Sequence, residues 1–125
     1  MKNKMNRMLF GILLLFAISS CVDKETSLKT ETKLENGISI STFKVWGNCE
    51  MCKETIESSL KENGIKKSDW NTETKMISVS YDASKITLDK IQKNIASVGY
   101  DNVKYKGDND AYSSLHGCCQ YERKE

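Results

Sequence analysis

Two cysteines three positions apart, Cys49 and Cys52, stand in the stretch Val45-Trp46-Gly47-Asn48-Cys49-Glu50-Met51-Cys52-Lys53. An alternating apolar run precedes them and a helical apolar pattern follows. Cys49 therefore falls at a turn and Cys52 in the first helical turn. There the sulfurs can converge while backbone N–H groups and the helix dipole favour the thiolate. Such a pair is either a clamp for a soft metal or a redox couple. Two thiolates with no further donor suit Cu(I), which accepts near-linear sulfur coordination, or Hg(II); zinc asks for four donors.

Three more soft donors, His116, Cys118 and Cys119, lie within four residues near the C-terminus. The candidate metal ligands are thus Cys49, Cys52, His116, Cys118 and Cys119. Three sulfurs with an imidazole would also make a zinc site, so Zn(II) joins Cu(I) and Hg(II) as candidate ions. Met51, between the paired cysteines, is expected as an exposed loop side chain rather than a ligand. The redox reading stays open beside the metal one. A Cys49–Cys52 disulfide alone would close too short a loop to stabilise much. The chain contains no proline, so the cis-proline that thioredoxin-type oxidoreductases set beside their C-x-x-C has no counterpart.

The elements that must position these residues occupy the middle of the chain. Ile38 and Ile40 alternate, as do Phe43 and Val45 on the other parity, which predicts a strand with a bulge or face change near Thr42. Cys52, Ile56 and Leu60 fall on one helical face, and Asn63-Gly64 is read as its C-cap. Residues 65–70 form a more polar strand suited to a sheet edge. Ile77, Val79 and Tyr81 alternate with serines as a half-buried strand. Thr87 caps a second helix carrying Leu88, Ile91, Ile95 and Val98, which Gly99 stops. Tyr100, Val103 and Tyr105 predict a last short strand. The order over residues 38–105 is β-α-β-β-α-β, the ferredoxin-like α+β sandwich of a four-stranded antiparallel sheet with two helices on one face.

The ends read differently. Lys2, Lys4 and Arg7 precede an apolar run, Met8 to Ile18, too short to span a bilayer, and Ser19-Ser20-Cys21 follows. Residues 1–20 are expected as a signal peptide of lipoprotein type, with Cys21 the lipidated residue. Removing Lys2, Lys4 and Arg7 from the 19 basic residues leaves 16 against 17 acidic ones, a net charge near −1. Nothing in that balance points to nucleic acid. Residues 21–37 are mixed charge and Ser/Thr with few apolar side chains, expected as a flexible tether. Residues 106–125 form a tail. In the sandwich the final strand runs away from the cysteine loop, so the tail must return along the domain. Residues 106–116 reach about 30 Å at roughly 3.3 Å each, against a domain height near 20 Å. The expectation is that Cys118 or Cys119, with or without His116, caps the Cys49–Cys52 pair, or else builds a second site.

A β-α-β-β-α-β unit with C-x-x-C between its first strand and first helix resembles the heavy-metal-associated domain, the family of small copper chaperones, periplasmic mercury-binding proteins and P-type ATPase metal-binding repeats. The resemblance covers residues 38–105. It implies Cys49 and Cys52 as the metal ligands and Gly99-Tyr100 as the Gly-Tyr whose tyrosine lies beside the metal and covers it. The family usually has methionine two residues before the first cysteine; here that place is Gly47, after Trp46. Either Trp46 fills the hole or the loop is one residue shorter.

The combined expectation is a lipid-anchored metal-binding protein of the bacterial cell envelope, at the outer membrane or the periplasmic face, that buffers Cu(I) or passes it on. A metal-transporting P-type ATPase or efflux component is the partner the resemblance implies. An envelope thiol–disulfide protein is the rival, since exported cysteines meet an oxidising compartment. No acid–base pair or nucleophile constellation suggests an enzyme.

Overall fold

The computed structural model describes residues 29–125. The expected signal peptide at 1–20, the lipidation at Cys21 and the start of the tether lie outside the described residues. The elements in order are β1 (Lys29–Lys33), β2 (Ile38–Lys44), α1 (Glu50–Ser58), β3 (Ile65–Trp70), β4 (Met76–Asp82), α2 (Leu88–Ser97) and α3 (Asn109–Ser113). Among the described residues no helix is long and apolar enough to cross a membrane.

The four strands form one antiparallel sheet in the order β1-β2-β4-β3. Its composition corrects the sequence reading at one edge, beside β2, while the other edge is β3, as expected. Lys29–Lys33, expected as tether, is a strand paired with β2 from Lys29↔Phe43 to Lys33↔Ser39. The cause is the connection: Asn36 and Gly37 both take positive φ, 71° and 77°. Asn-Gly adopts this readily, and the turn folds the chain back with the twist that paired strands need. Main-chain pairing along β2 then suffices, and the polar, charged sequence suits an exposed edge.

The last predicted strand, residues 100–105, is reduced to a single bridge between Asn102 and Val45. Asn102 is buried, and its side-chain oxygen accepts the N–H groups of Lys104 and Tyr105 at 3.1 Å each, while its amide donates to Gln92 O at 2.9 Å. An asparagine that bonds its own following backbone makes a turn where alternation alone suggested a strand.

Ser41, Phe43 and Val45 share the buried parity of β2, whose pairing with β4 runs unbroken from Ile38↔Asp82 to Lys44↔Met76. No face change occurs at Thr42; the irregularity of the sheet lies in β3 between Ile65 and Lys67. Phe43, Val45, Ile77, Val79 and Tyr81 meet the helices on that face. From α1 come Cys52 and Ile56; the helix stops at Ser58, five residues short of Asn63, yet Leu60 is still buried by the turn that follows. From α2 come Ile91, Ile95 and Ala96, after the N-cap Thr87, whose hydroxyl accepts Lys90 N–H at 3.2 Å.

Trp70, the last residue of β3, is completely buried beneath the cysteine loop. Its indole N–H donates to Val45 O at 3.1 Å, and its backbone N–H donates to Glu57 of α1 at 2.9 Å. Lys53 adds a further tie between α1 and β3, reaching Glu57 and Asp69 at 2.6 Å and Trp70 O at 2.8 Å. The loop is thereby set on a rigid floor.

Candidate metal centre

Cys49 is the N-cap residue of α1, in extended backbone (φ −137°, ψ −178°), and its carbonyl accepts the first helical hydrogen bond from Lys53 N–H at 3.1 Å. The cap leaves its sulfur facing the unpaired N–H groups of the first turn. Those of Cys52, first, and Met51 hold the Cys49 thiol below its ordinary value, as expected where a thiolate meets a helix N-terminus. Cys52, one turn along, is fully buried, and its sulfur accepts Asn48 N–H at 3.4 Å. The loop is pinned from outside by Lys75, which donates to Asn48 O at 3.0 Å.

The hole beneath the loop is filled by Trp70, neither by Trp46 nor by shortening. A Cβ on Gly47 would stand 2.9 and 3.0 Å from two Trp70 ring atoms and 3.4 Å from the Cys52 Cβ. Glycine is needed there for close approach. Trp46 is only half-buried and lies under two cations, Lys44 at 4.6 Å and Lys124 at 5.9 Å from its ring centre.

The tail does return to the loop. Asp108 caps α3, accepting Ala111 N–H at 2.8 Å, and a 3₁₀ turn at Gly117–Cys119 then brings both tail cysteines against the pair. The sulfur of Cys49 lies 3.9 Å from that of Cys52 and 4.0 Å from that of Cys119, and Cys118 and Cys119 are 3.9 Å apart. Cys49, Cys118 and Cys119 have all their sulfurs within 4.8 Å of one another. These separations are far longer than the ~2.05 Å of an S–S bond, and the four thiols are free. Sulfurs held at about 2.3 Å from one ion lie roughly 3.8 Å apart in tetrahedral, 4.0 Å in trigonal and 4.6 Å in linear coordination. The observed spacings fit three sulfurs around one ion better than a linear pair.

The two tail thiols differ. Cys119 is buried, and burial, reinforced by the neighbouring Cys52, pushes its thiol up to about 12. Cys118 is exposed, and its carbonyl accepts the Asn48 side-chain amide at 3.3 Å. His116 departs from the expectation: it is exposed at the start of the 3₁₀ turn and lies outside the sulfur cluster.

Tyr100 is fully buried and its hydroxyl has no hydrogen-bond partner. Burial, and after it the adjacent Cys52, raises its ionisation. The unpartnered phenol thus lies buried beside the Cys52 thiol, a donor with nothing yet to donate to.

Sequence reasoning missed what holds the tail down. Tyr121 is buried and stacks on Tyr100, with ring centres 5.6 Å apart and planes at 15°. Its hydroxyl donates to Gly99 O and accepts Asp101 N–H, both at 2.7 Å. Asp101, fully buried, pairs with Arg123 at 2.7 Å and also accepts the N–H groups of Gly107 at 2.6 Å and Lys124 at 3.0 Å. An aromatic and an arginine flanking the tail cysteines, with an aspartate just after Gly99-Tyr100, were the only signal available in the sequence.

Comparison with known proteins places this geometry. The family described as "Heavy-metal-associated domain" matches residues 42–101. Copper chaperone CopZ of Staphylococcus aureus (strain JH9) is 37% identical over 57 residues, 45% of this chain and 84% of the relative. Among solved structures, a CopZ metallochaperone superposes with a TM-score of 0.50 at 35% identity, over 51% of this chain and 98% of that one. A protein from Bacillus anthracis str. Ames, solved in solution, gives 0.51 at 33% identity over 54% and 97%. The matched family span ends before the tail, so Cys118 and Cys119 lie beyond it.

Proposed function

Because this chain belongs to the heavy-metal-associated domain family, we propose that it is a carrier that binds Cu(I) through Cys49 and Cys52 and closes the ion in with Cys119 from its own tail. The observation that carries this reading is the pair of 3.9 and 4.0 Å separations from Cys49 to Cys52 and Cys119, two edges of the length that trigonal sulfur coordination requires. Cu(I) accepts three thiolates, whereas zinc prefers a fourth donor. His116 is exposed and outside the cluster, so the donors at hand are all sulfur, a set that suits Cu(I).

The residues divide the work. Cys49, its thiolate favoured at the helix N-terminus, captures the ion first. Cys52 completes the pair, and Tyr100 donates to its thiolate from the dry side. Cys119 follows last, because its buried thiol gives up its proton only to a metal. Release reverses the order: the tail thiol leaves, and a partner's thiolates enter by ligand exchange with no change in oxidation state. Such a capped site favours retention and buffering over rapid relay. We place the chain in the bacterial envelope, anchored through lipid on Cys21 and the segment ahead of β1. A metal-transporting P-type ATPase or efflux component is the class of partner that would receive the ion.

Cu(I) titration of the reduced chain against a chromophoric chelator, with copper-edge X-ray absorption, tests this. Three sulfur neighbours are expected in the wild type and two in C119S, with weaker binding. The double variant C49S/C52S should lose the site. Copper uptake unchanged in C49S/C52S overturns the reading, as does indifference to copper together with a reversible Cys49–Cys52 disulfide couple.

A further inference from the structure

The exposed face of the centre carries a thioether that the three-thiolate site leaves unused. Met51 sits in the first turn of α1, 43% exposed; with Leu34 it is one of two exposed large hydrophobic side chains among the described residues. Its sulfur touches that of Cys118 at 3.6 Å. No core packing accounts for a methionine there. Cys118 clusters with Cys49 and Cys119 but is not a ligand of the inner site proposed above, and it is exposed while its neighbour Cys119 is buried. One thiolate and one thioether at the mouth are a soft donor pair, whose 3.6 Å spacing leaves further coordination positions on an ion open. Thioether sulfur selects Cu(I) and is a poor donor to zinc.

We propose that Met51 and Cys118 form a second, outer Cu(I) site at the mouth of the centre, an inference that rests on the inner site proposed above. Its position gives it a role in entry. Cys118 lies 3.9 Å from Cys119 and within 4.8 Å of Cys49. A Cu(I) ion held by Met51 and Cys118 can therefore exchange onto the inner sulfurs without returning to water. Each step swaps one sulfur ligand for another. Copper stays Cu(I), and the only other changes are loss of the thiol proton to solvent as each cysteine binds and its return from solvent as Cys118 lets go. Zn(II) lacks this entrance, so the pair also filters the ion.

The test uses the full chain labelled with selenomethionine, reduced, and titrated with Cu(I) supplied in acetonitrile. Two equivalents are expected, the second weaker than the first. Selenium-edge absorption should show a copper neighbour only once the second equivalent is added. That neighbour should vanish in M51L and persist in M76L. In M51L the second equivalent should weaken by at least the roughly 10- to 100-fold that loss of even an outer-shell partner costs. The first equivalent should be unchanged, and Zn(II) uptake should be alike in wild type and M51L. A single tight equivalent with no selenium–copper neighbour overturns the outer site and leaves the inner one standing. Absence of any cysteine-bound copper overturns both.

Discussion

Replacing Tyr121 by phenylalanine removes one oxygen and tests whether the tail is a latch. The ring remains, so its stacking on Tyr100 and its edge contact with Tyr112, 5.2 Å at 84°, are kept. So is the bond that Tyr112 donates to Tyr121 O at 2.7 Å. What is lost are the two hydroxyl bonds, to Gly99 O and from Asp101 N–H. Each buried group left unpaired costs about 1–3 kcal/mol. Two such groups near the low end give roughly 2–3 kcal/mol, because water can reach them once the tail lifts. If that cost falls on the closed tail alone, the open population rises roughly 30- to 150-fold.

The assay is the labelling rate of Cys119 in a chain whose other cysteines are serine. Cys119 is 2% exposed, so reagent reaches it only when the tail opens, and the rate follows the open population. Labelling in Y121F should accelerate by that factor, while the urea midpoint read from tryptophan fluorescence moves less. Acceleration below about twofold would refute the reasoning, since the hydroxyl would then not hold the tail.

Two further outcomes follow from the same contacts. G47A should destabilise the fold by about 1–3 kcal/mol through overpacking against Trp70, and should weaken Cu(I) binding because the displaced ring supports the loop; urea unfolding and chelator competition check both. The third prediction concerns alkaline pH. Cys119 is raised from 9.0 to about 12 on folding, so its contribution is fully present below about pH 9 and is lost as pH rises toward 12. The urea midpoint of the metal-free wild type should therefore fall between about pH 9 and 11 more steeply than that of C119S. Raised Tyr100 and Tyr121 add a slope common to both proteins.

The cysteine pair, the helices α1 and α2 and three strands of the sheet were legible because each is local: apolar periodicity, one cap, one stop. The fourth strand was equally local in its cause, yet composition hid it. Residues 29–33 have no apolar side chain, which argues for a tether when burial is the only criterion, whereas Asn36-Gly37 was the hairpin signal. Trp70 shows a different limit. Trp46 adjoins the loop in sequence, but Trp70 reaches it through the pairing of β3 with β4, Trp70↔Ile77, and no spacing rule carries that register. The tail's return was within reach of chain-length arithmetic. Its anchorage by Tyr121 and Arg123 on residues twenty or more positions earlier was not.

Whether such a chain stores copper or relays it turns on the free energy of lifting Cys119. Two hydroxyl bonds and the Asp101–Arg123 pair must open together, and Asp101 keeps Gly107 N–H when they do. The residual partner and entering water hold the ion pair's share of the cost below the 3–5 kcal/mol of stranding a buried charge outright. An opening cost of about 4 kcal/mol exposes roughly one molecule in a thousand. A partner dithiol that had to wait for that opening would be slowed by the same factor. Met51 and Cys118 stand outside the latch, already exposed while it is shut. A partner that takes the ion from them draws on the closed form, and inner copper refills them through Cys119. Retention and transfer then cease to oppose one another: the buried sulfurs set how tightly copper is held, and the exposed pair sets how fast it leaves. Copper transfer to an acceptor dithiol should accordingly slow in M51L although the inner affinity is unchanged, and change far less in Y121F. Equal slowing in both would mean that the tail must stay docked for release and that the latch is part of the exit.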